Sequence, residues 1–268
     1  MREIRLEYMR PDQIVAERER CSIAYLAAGP LEWHGPAGPF GTDPLAAYEA
    51  ARRCALAVGG VLLPPLYIGT ERERKPQDLA NMGFTDTQQY ILGMDFPDNS
   101  VPSYYFREDI FAMVLREYVR LLVKQGYKLV VIVNGHGAAG QVESANRIAA
   151  EFNGETNTRV IVGFPAASLG FEGEDPGHAT RAELSTMMAL TDSVDLTKLP
   201  PEGEPIIMYK TGMADGSAFA GHPNANFSVT DDPRKGSAEL GERYLAAGAE
   251  ALIQQVRAAW AEINGKKA

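Results

Sequence analysis

Between Leu31 and Pro44 the chain places two carboxylates and an imidazole, Glu32, His34 and Asp43, within twelve residues of one another. The residues around them are rich in Gly and Pro. On an extended chain residues i and i+2 point to the same face, so Glu32 and His34 can reach one point. A Gly/Pro turn then lets Asp43 fold back towards it. Glu, His and Asp are the ligand types of divalent metals such as Zn, Mn or Fe. A plainer reading is open at this stage: Glu-x-His as an exposed pair, and Asp43 with Pro44 as a helix start, Asp at the N-cap and Pro at N1.

The other histidines sharpen the first reading. The chain has only four, His34, His136, His178 and His222. His136 lies in a Gly-His-Gly turn (residues 135–137) directly after the β-branched run 127–133 (YKLVVIV). Glu32 and His34 follow another apolar run, residues 21–28 (CSIAYLAA). In open α/β sheets ligands bind beyond the carboxyl ends of the strands, where both groups would sit. His178 precedes a helix that carries Glu183. Five apart on a regular helix they would face different ways, so they converge only if His178 belongs to the preceding loop. His222 has no position in this scheme and reads as a surface or loop residue. Together Glu32, His34, Asp43, His136, His178 and Glu183 fit a two-metal hydrolase, in which a carboxylate bridges two ions and a base moves the proton of the attacking water.

Positioning such residues requires a framework. Residues 11–20 read as a charged helix, 44–58 as an Ala-rich helix stopped by Gly59 and Gly60, and 61–67 (VLLPPLY) as an extended segment whose prolines place its end at a sheet edge or in a loop. Residues 107–125 form the clearest helix, with Ile110, Phe111, Val114, Leu115, Tyr118, Leu121 and Leu122 on an apolar stripe. Residues 141–152 read as helix, 159–164 (RVIVGF) as strand, the residues after His178 to about Leu190 as an apolar helix and 237–263 as a long Ala-rich one, with a Pro-rich connector at 197–205. Strands alternating with helices predict an α/β fold with a parallel sheet covered on both faces. Residues 69–105 are a loop-rich insertion, of the kind that serves as a lid or an oligomer arm. Its charged run, residues 71–75, reads as a solvated face.

Composition narrows the function classes. A net charge of −9 and a pI near 5.1 argue against a nucleic-acid surface. No run of apolar residues is long enough to span a membrane, and the opening MREIRLEYMRPDQ lacks the apolar centre of a signal peptide. Cys21 and Cys54 form no Cys-x-x-Cys pair and read as buried thiols, which suits the cytoplasm. No composition break marks a second domain within residues 1–268.

In these residues the chain resembles the creatininase family. The family's opening segment, close to Glu-x-His-Gly-Pro-His-x-Pro-x-Gly-Thr-Asp, appears here from Glu32 to Asp43. Its Asn-Gly-His-Gly-Gly-Asn appears as residues 134–139 (NGHGAA), and its His-Ala-Gly-x-x-Glu-Thr-Ser as residues 178–185 (HATRAELS). Residues 231–238 (DDPRKGSA) look like its Gly-Asp-Pro-x-x-Ala-Thr segment. The resemblance implies a three-layer α/β/α domain, two divalent ions per subunit (Zn, Mn or Fe), a small-molecule substrate and a homohexamer. It implies Glu32 and His136 on one ion, Asp43 as the bridge, and His34 and Glu183 on the second. It gives His178 a proton-transfer or substrate role, with Trp33 expected beside it at the substrate.

The chain departs from the pattern at Ala37, Ala138 and Ala139. Creatininase has a carboxylate at the position of Ala138, so the second ion here would rely on Glu183. Family members open cyclic amides, remove formyl groups, trim peptides or hydrolyse cyclic polyol diketones. The insertion (GTERER, then MGFTDTQQYILGMDFP) leans towards the last group, whose substrate is 3-dehydro-scyllo-inosose, with Arg72, Arg74, Gln77, Gln88 and Asp95 available to meet hydroxyls. The alternatives are a linear amide or formamide hydrolase of the same family, a non-catalytic relative that keeps the fold as a binding module, and, outside the family, a phosphate-binding enzyme using residues 135–140 as an anion cradle. The last lacks a proper Gly-x-Gly-x-x-Gly or Walker pattern.

Overall fold

The structure, a computed structural model, describes residues 2–86, 91–97, 99–165, 177–209, 212–213 and 232–265. Gln88, His222 and Asp231, singled out above, lie outside the described residues. Four strands, β1 (Ile23–Ala28), β2 (Val61–Leu62), β3 (Leu129–Asn134) and β4 (Arg159–Gly163), form a parallel sheet in the order β2-β1-β3-β4. Around it run α1 (Pro11–Arg20), α2 (Thr42–Val58), α3 (Pro76–Asn81), α4 (Glu108–Lys124), α5 (Ala139–Glu155), α6 (Arg181–Leu190) and α7 (Ala238–Ile263). A small antiparallel pair, β5 (Met208–Tyr209) and β6 (Gly212–Met213), lies apart from the sheet.

The strands are apolar throughout because both of their faces are covered. Successive side chains alternate between the layers. Ile23, Tyr25, Ala27, Leu129, Val131 and Val133 pack with Ala47, Ala51 and Cys54 of α2 and Leu252, Ile253 and Val256 of α7. Ala24, Leu26, Val130 and Ile132 pack with Phe111, Leu115 and Val119 of α4 and Ala145, Ile148 and Phe152 of α5. The result is a three-layer α/β/α sandwich, as its alternating pattern predicts. The buried stripe of α4 is narrower than the sequence suggests: Phe111, Ala112, Leu115, Val119 and Leu122 are buried, while Ile110 and Leu121 stay exposed at 37% and 40%. Among the described residues no helix is long and apolar enough to cross a membrane.

Two features of this scaffold position the site. Ala28 pairs with Asn134, so β1 and β3 end level and release their loops at the same sheet edge. Gly135 then crosses so close to α2 that a Cβ there would overlap the backbone carbonyl of Asp43. α2 begins at Thr42 with Gly41 as its cap, so Asp43 lies inside the first turn and is not the N-cap. Its carboxylate is therefore available for other partners.

The insertion corrects another expectation. Residues 71–75 form a solvated face only in part: Arg72, Glu73 and Lys75 are exposed, but Glu71 is buried at 7% and the Arg74 side chain is 11% exposed. The Arg74 guanidinium is satisfied internally, donating to the carbonyls of Leu92 (2.7 Å) and Gly93 (3.0 Å) and lying 3.6 Å from Glu71. Pro76 at the start of α3 gives this region a helical turn, and Leu79, Met82, Leu92, Phe96 and Tyr209 give it a small core.

The close crossing at Gly135 leads to an expected outcome. Gly135→Ala should destabilise the fold by about 1–3 kcal/mol in urea unfolding, the usual cost of overpacking. Gly154→Ala, near the end of α5 where a Cβ meets nothing within 4 Å, should stabilise it by up to about 1 kcal/mol. Equal responses at the two positions would contradict this account of the crossing.

Candidate metal centre

The structure brings the six side chains named from the sequence to one place at the carboxyl edge of the sheet. Glu32, His34, Asp43 and His136 are all buried, at 1–7% exposure. The two oxygens of Asp43 diverge: Oδ1 lies 3.2 Å from Nε2 of His34, and Oδ2 lies 2.8 Å from Nδ1 of His136. Oε2 of Glu32 is 2.9 Å from the same His136 nitrogen. On the other side, Oε2 of Glu183 is 3.8 Å from Nε2 of His34. Three donor triads follow, each with its ligand atoms within 4.8 Å of one another: Glu32–Asp43–His136 and His34–Asp43–Glu183, which share Asp43, and Glu32–His34–His178.

Hydrogen bonds fix which ring nitrogen faces inward. Nδ1 of His34 donates to the carbonyl of Glu32 (2.9 Å), which leaves Nε2 for Asp43 and Glu183. His178 does lie in the loop before α6, where Ala179 takes a positive φ of 54° and donates its N–H to Oε2 of Glu183 (2.5 Å). That turn brings the two residues together, which a continuous helix would not. Nε2 of His178 donates to the carbonyl of Trp33 (2.6 Å), so its Nδ1 keeps a lone pair, 3.9 Å from Oε1 of Glu32. The His178 ring lies 4.6 Å from that of His34.

The electrostatics describe a centre crowded with negative charge. Burial pushes the Glu32 carboxyl up, but the facing His136 overrides it and holds it well below the usual carboxylate range. Burial disfavours a charged His34, yet Glu183 and Asp43 raise its pKa to about 10. Burial opposes and Glu32 and Asp43 likewise raise His136 well above an ordinary imidazole. Glu183 is pushed up to about 8 by burial and by the nearby Asp43 and Glu32, against the pull of His34. His178 is pushed down to about 4, chiefly by burial, and is neutral at neutral pH. These shifts favour the protonated, cationic forms of His34 and His136 and the neutral form of Glu183, which offsets the negative charge of Glu32 and Asp43. The donor set fits divalent ions: mixed His and carboxylate ligands, one carboxylate splayed between two triads, and charge balance now met by protons. Nε2 of His136 is buried with no partner among the described residues, a greater cost to a cationic ring than to a neutral, ligating one.

Other residues support these. The side-chain amide of Gln141 donates to Asn134 (2.7 Å), whose own amide donates to the carbonyl of His136 (2.6 Å), while its oxygen accepts from the N–H of Thr70 (2.9 Å). The hydroxyl of Tyr105 donates to Oε1 of Glu32 at 2.5 Å. Neither Gln141 nor Tyr105 carries a motif, and the Tyr105 contact spans 73 residues, so only the tertiary structure reveals them.

Trp33 corrects an expectation. Its indole is 3% exposed and packs with Leu184, Leu199, Ile206 and Met213, because the turn that sends Glu32 and His34 towards the ligands sends the residue between them into the core. It meets His178 through its backbone carbonyl and through a tilted ring contact (centroids 6.1 Å apart), and does not line the cleft.

A cleft of about 420 Å³ opens over the centre. Glu32, Asp43, His136, His178 and Glu183 form its floor, Glu71, Arg72 and Arg74 of the insertion one side, and Met94, Phe164 and Tyr209 line it elsewhere. Of the other candidates for hydroxyl contact, Gln77 bonds to Asn81 (3.1 Å) away from the cleft, and Asp95 is buried beneath it against Ser103 (2.7 Å). The end of α5 nearest the cleft, with Gly137 and Ala138, shares it with the carboxylate floor, a poor neighbour for a phosphate.

Comparison with known proteins places the chain. The model of the family described as creatininase, creatinine amidohydrolase, matches residues 7–256. No curated protein matches it significantly. Among solved structures, creatinine amidohydrolase (creatininase) superposes with a TM-score of 0.69 at 18% identity, covering 97% of this chain and 99% of the other. A mutant creatininase complexed with creatine gives 0.70 at 19% identity, covering 96% and 99%. A putative creatinine amidohydrolase from Bacteroides fragilis NCTC 9343 gives 0.68 at 18% identity, covering 97% of each. At such identities these likenesses speak to the fold, and the family match extends over almost the whole sequence. The chain therefore belongs to the creatininase family of hydrolases.

Proposed function

We propose that the chain is a metal-dependent ring-opening hydrolase acting on a carbonyl of a small cyclic substrate. The observation that carries this reading is the splayed carboxylate of Asp43, one oxygen towards each of two histidine-containing triads. Glu32, Asp43 and His136 would hold one divalent ion, and His34, Asp43 and Glu183 a second, with Glu183 serving where the family's carboxylate is replaced by Ala138. Solved creatininases include forms titled as Mn and as Zn-Zn type, which supports these metals. Ions bound there polarise a carbonyl and lower the pKa of a water towards neutrality.

The chain's own residues do the rest. His178 is neutral and held by Trp33 with its Nδ1 lone pair beside Glu32, so it can take the proton of the attacking water and return it to the leaving atom. Water adds to the carbonyl carbon, the ring bond to that carbon breaks, and the proton ends on the departing nitrogen or carbon. Arg72, Arg74 and Glu71 make one side of the cleft polar, and the exposed guanidinium of Arg72 is available to meet a hydroxyl-rich ring, which supports such a substrate. We therefore place a cyclic polyol diketone such as 3-dehydro-scyllo-inosose ahead of a cyclic amide, and both ahead of a formamide or linear amide. We read residues 1–268 as one hydrolase domain whose insertion, residues 69–105, walls the cleft. The family resemblance supports a homohexamer, and the two buried free thiols, Cys21 and Cys54, suit the cytoplasm.

Three outcomes test this. Asp43→Ala should abolish stoichiometric Zn or Mn binding by elemental analysis and lower kcat/KM by roughly 10³-fold or more. His178→Ala should keep its metal and lose about 10²–10⁴-fold in kcat, the usual share of general acid–base catalysis. Turnover is read on a panel split between cyclic amides and cyclic ketoses, and a folded, metal-loaded protein that opens neither overturns the reading. Finally, metal uptake must displace protons from His34, raised to about 10, from Glu183, raised to about 8, and from His136, raised well above an ordinary imidazole by Glu32 and Asp43. Apparent affinity should therefore rise as pH increases from 6 towards 8, with protons released on binding, in calorimetry repeated in buffers of different ionisation enthalpy. An affinity that falls over that range would contradict the charge balance described.

A further inference from the structure

Tyr105 stands outside the six residues read from the sequence, yet it grips one of them. Its hydroxyl donates to Oε1 of Glu32 at 2.5 Å, while Oε2 of the same carboxylate faces His136 at 2.9 Å. One oxygen of Glu32 is thus held away and the other directed into the triad. A carboxylate without that bond could rotate and would have to be ordered at the moment an ion binds.

The insertion is built to hold the tyrosine. The N–H of Tyr104 donates to the carbonyl of Leu31 (2.8 Å) in an antiparallel bridge that sets Tyr105 beside Glu32. The N–H of Phe106 donates to the carbonyl of Gly69 (2.8 Å), pinning the insertion's far end to its start. Gly93 packs under the phenol so closely that a Cβ there would overlap the hydroxyl and lie 3.1 Å from Oε1 of Glu32. Arg74 fixes this glycine through its carbonyl (3.0 Å). The Tyr105 ring lies 6.0 Å from that of His136.

We propose that Tyr105 is a positioning residue for the metal centre: by fixing Glu32 it sets the affinity of the Glu32–Asp43–His136 triad, and so couples the insertion at residues 69–105 to metal binding. The role rests on the two-triad centre of the preceding section.

The test is titration of the ion-free protein with Zn²⁺, and separately with Mn²⁺, against a chelating dye. Tyr105→Phe should weaken one binding step by about 10–100-fold and leave the other nearly unchanged, the loss typical when a partner that orients a metal ligand is removed. The melting temperature of the ion-free protein should move little. Gly93→Ala, which displaces the hydroxyl without altering Tyr105, should reproduce the effect. In a Glu32→Ala background Tyr105→Phe should have no further effect on the remaining step. Wild-type affinities in Tyr105→Phe, equal weakening of both steps, or an additional loss in the Glu32→Ala background would each overturn the role of Tyr105. A wild-type protein that binds neither ion overturns the metal centre itself, so the two failures are distinguishable.

Discussion

Three carboxylates, Glu32, Asp43 and Glu183, converge on two imidazoles at the floor of one cleft, and their mutual repulsion is the constraint on which the structure depends. In a poorly hydrated site like charges a few ångströms apart cannot all persist unless cations lie between them. In the metal-free chain the protons on His34, His136 and Glu183 take that place. A proton satisfies one nitrogen or one oxygen, whereas a divalent ion satisfies several ligands together. The arrangement therefore favours exchange of protons for metal, and the splayed Asp43 marks where two such ions would share a ligand.

The scaffold makes this costly cluster possible by giving each ligand a rigid base. The level ends of β1 and β3 bring the loops of Glu32, His34 and His136 together, and the first turn of α2 delivers Asp43 from the side. Gly135 allows the β3 loop to approach Asp43 more closely than any residue with a side chain could. The Thr70–Gln141–Asn134 chain anchors the backbone of His136, and Trp33 anchors His178. Thr70 on Gln141 and Tyr105 on Glu32 both come from the insertion, so the wall of the cleft and the floor are one hydrogen-bonded unit.

Much of this was legible in the sequence because the physical signals were local. An apolar run predicts β1 and β-branched runs predict β3 and β4, to within two residues at each end, and apolar periodicity predicts the helices that cover them. The Glu-x-His, Gly-His-Gly and His-Ala motifs point to residues that do converge. What was illegible depends on contacts between distant segments. The inward turn of Glu71 and Arg74 depends on the carbonyls of Leu92 and Gly93 about eighteen residues away. The burial of Trp33 depends on the cluster around Met213, and the part played by Tyr105 on a pairing of Leu31 with Tyr104. Charged or aromatic residues in such positions look like surface until the partner segment is known.

The most direct test is anomalous diffraction from crystals of the protein loaded with Zn²⁺ or Mn²⁺, measured at the metal's absorption edge. The account predicts two peaks bridged by the carboxylate of Asp43, one ligated by Glu32 and His136 and the other by His34 and Glu183. A loaded crystal with no peak between these residues, with His34 and His136 still hydrogen-bonded to Asp43, would contradict it.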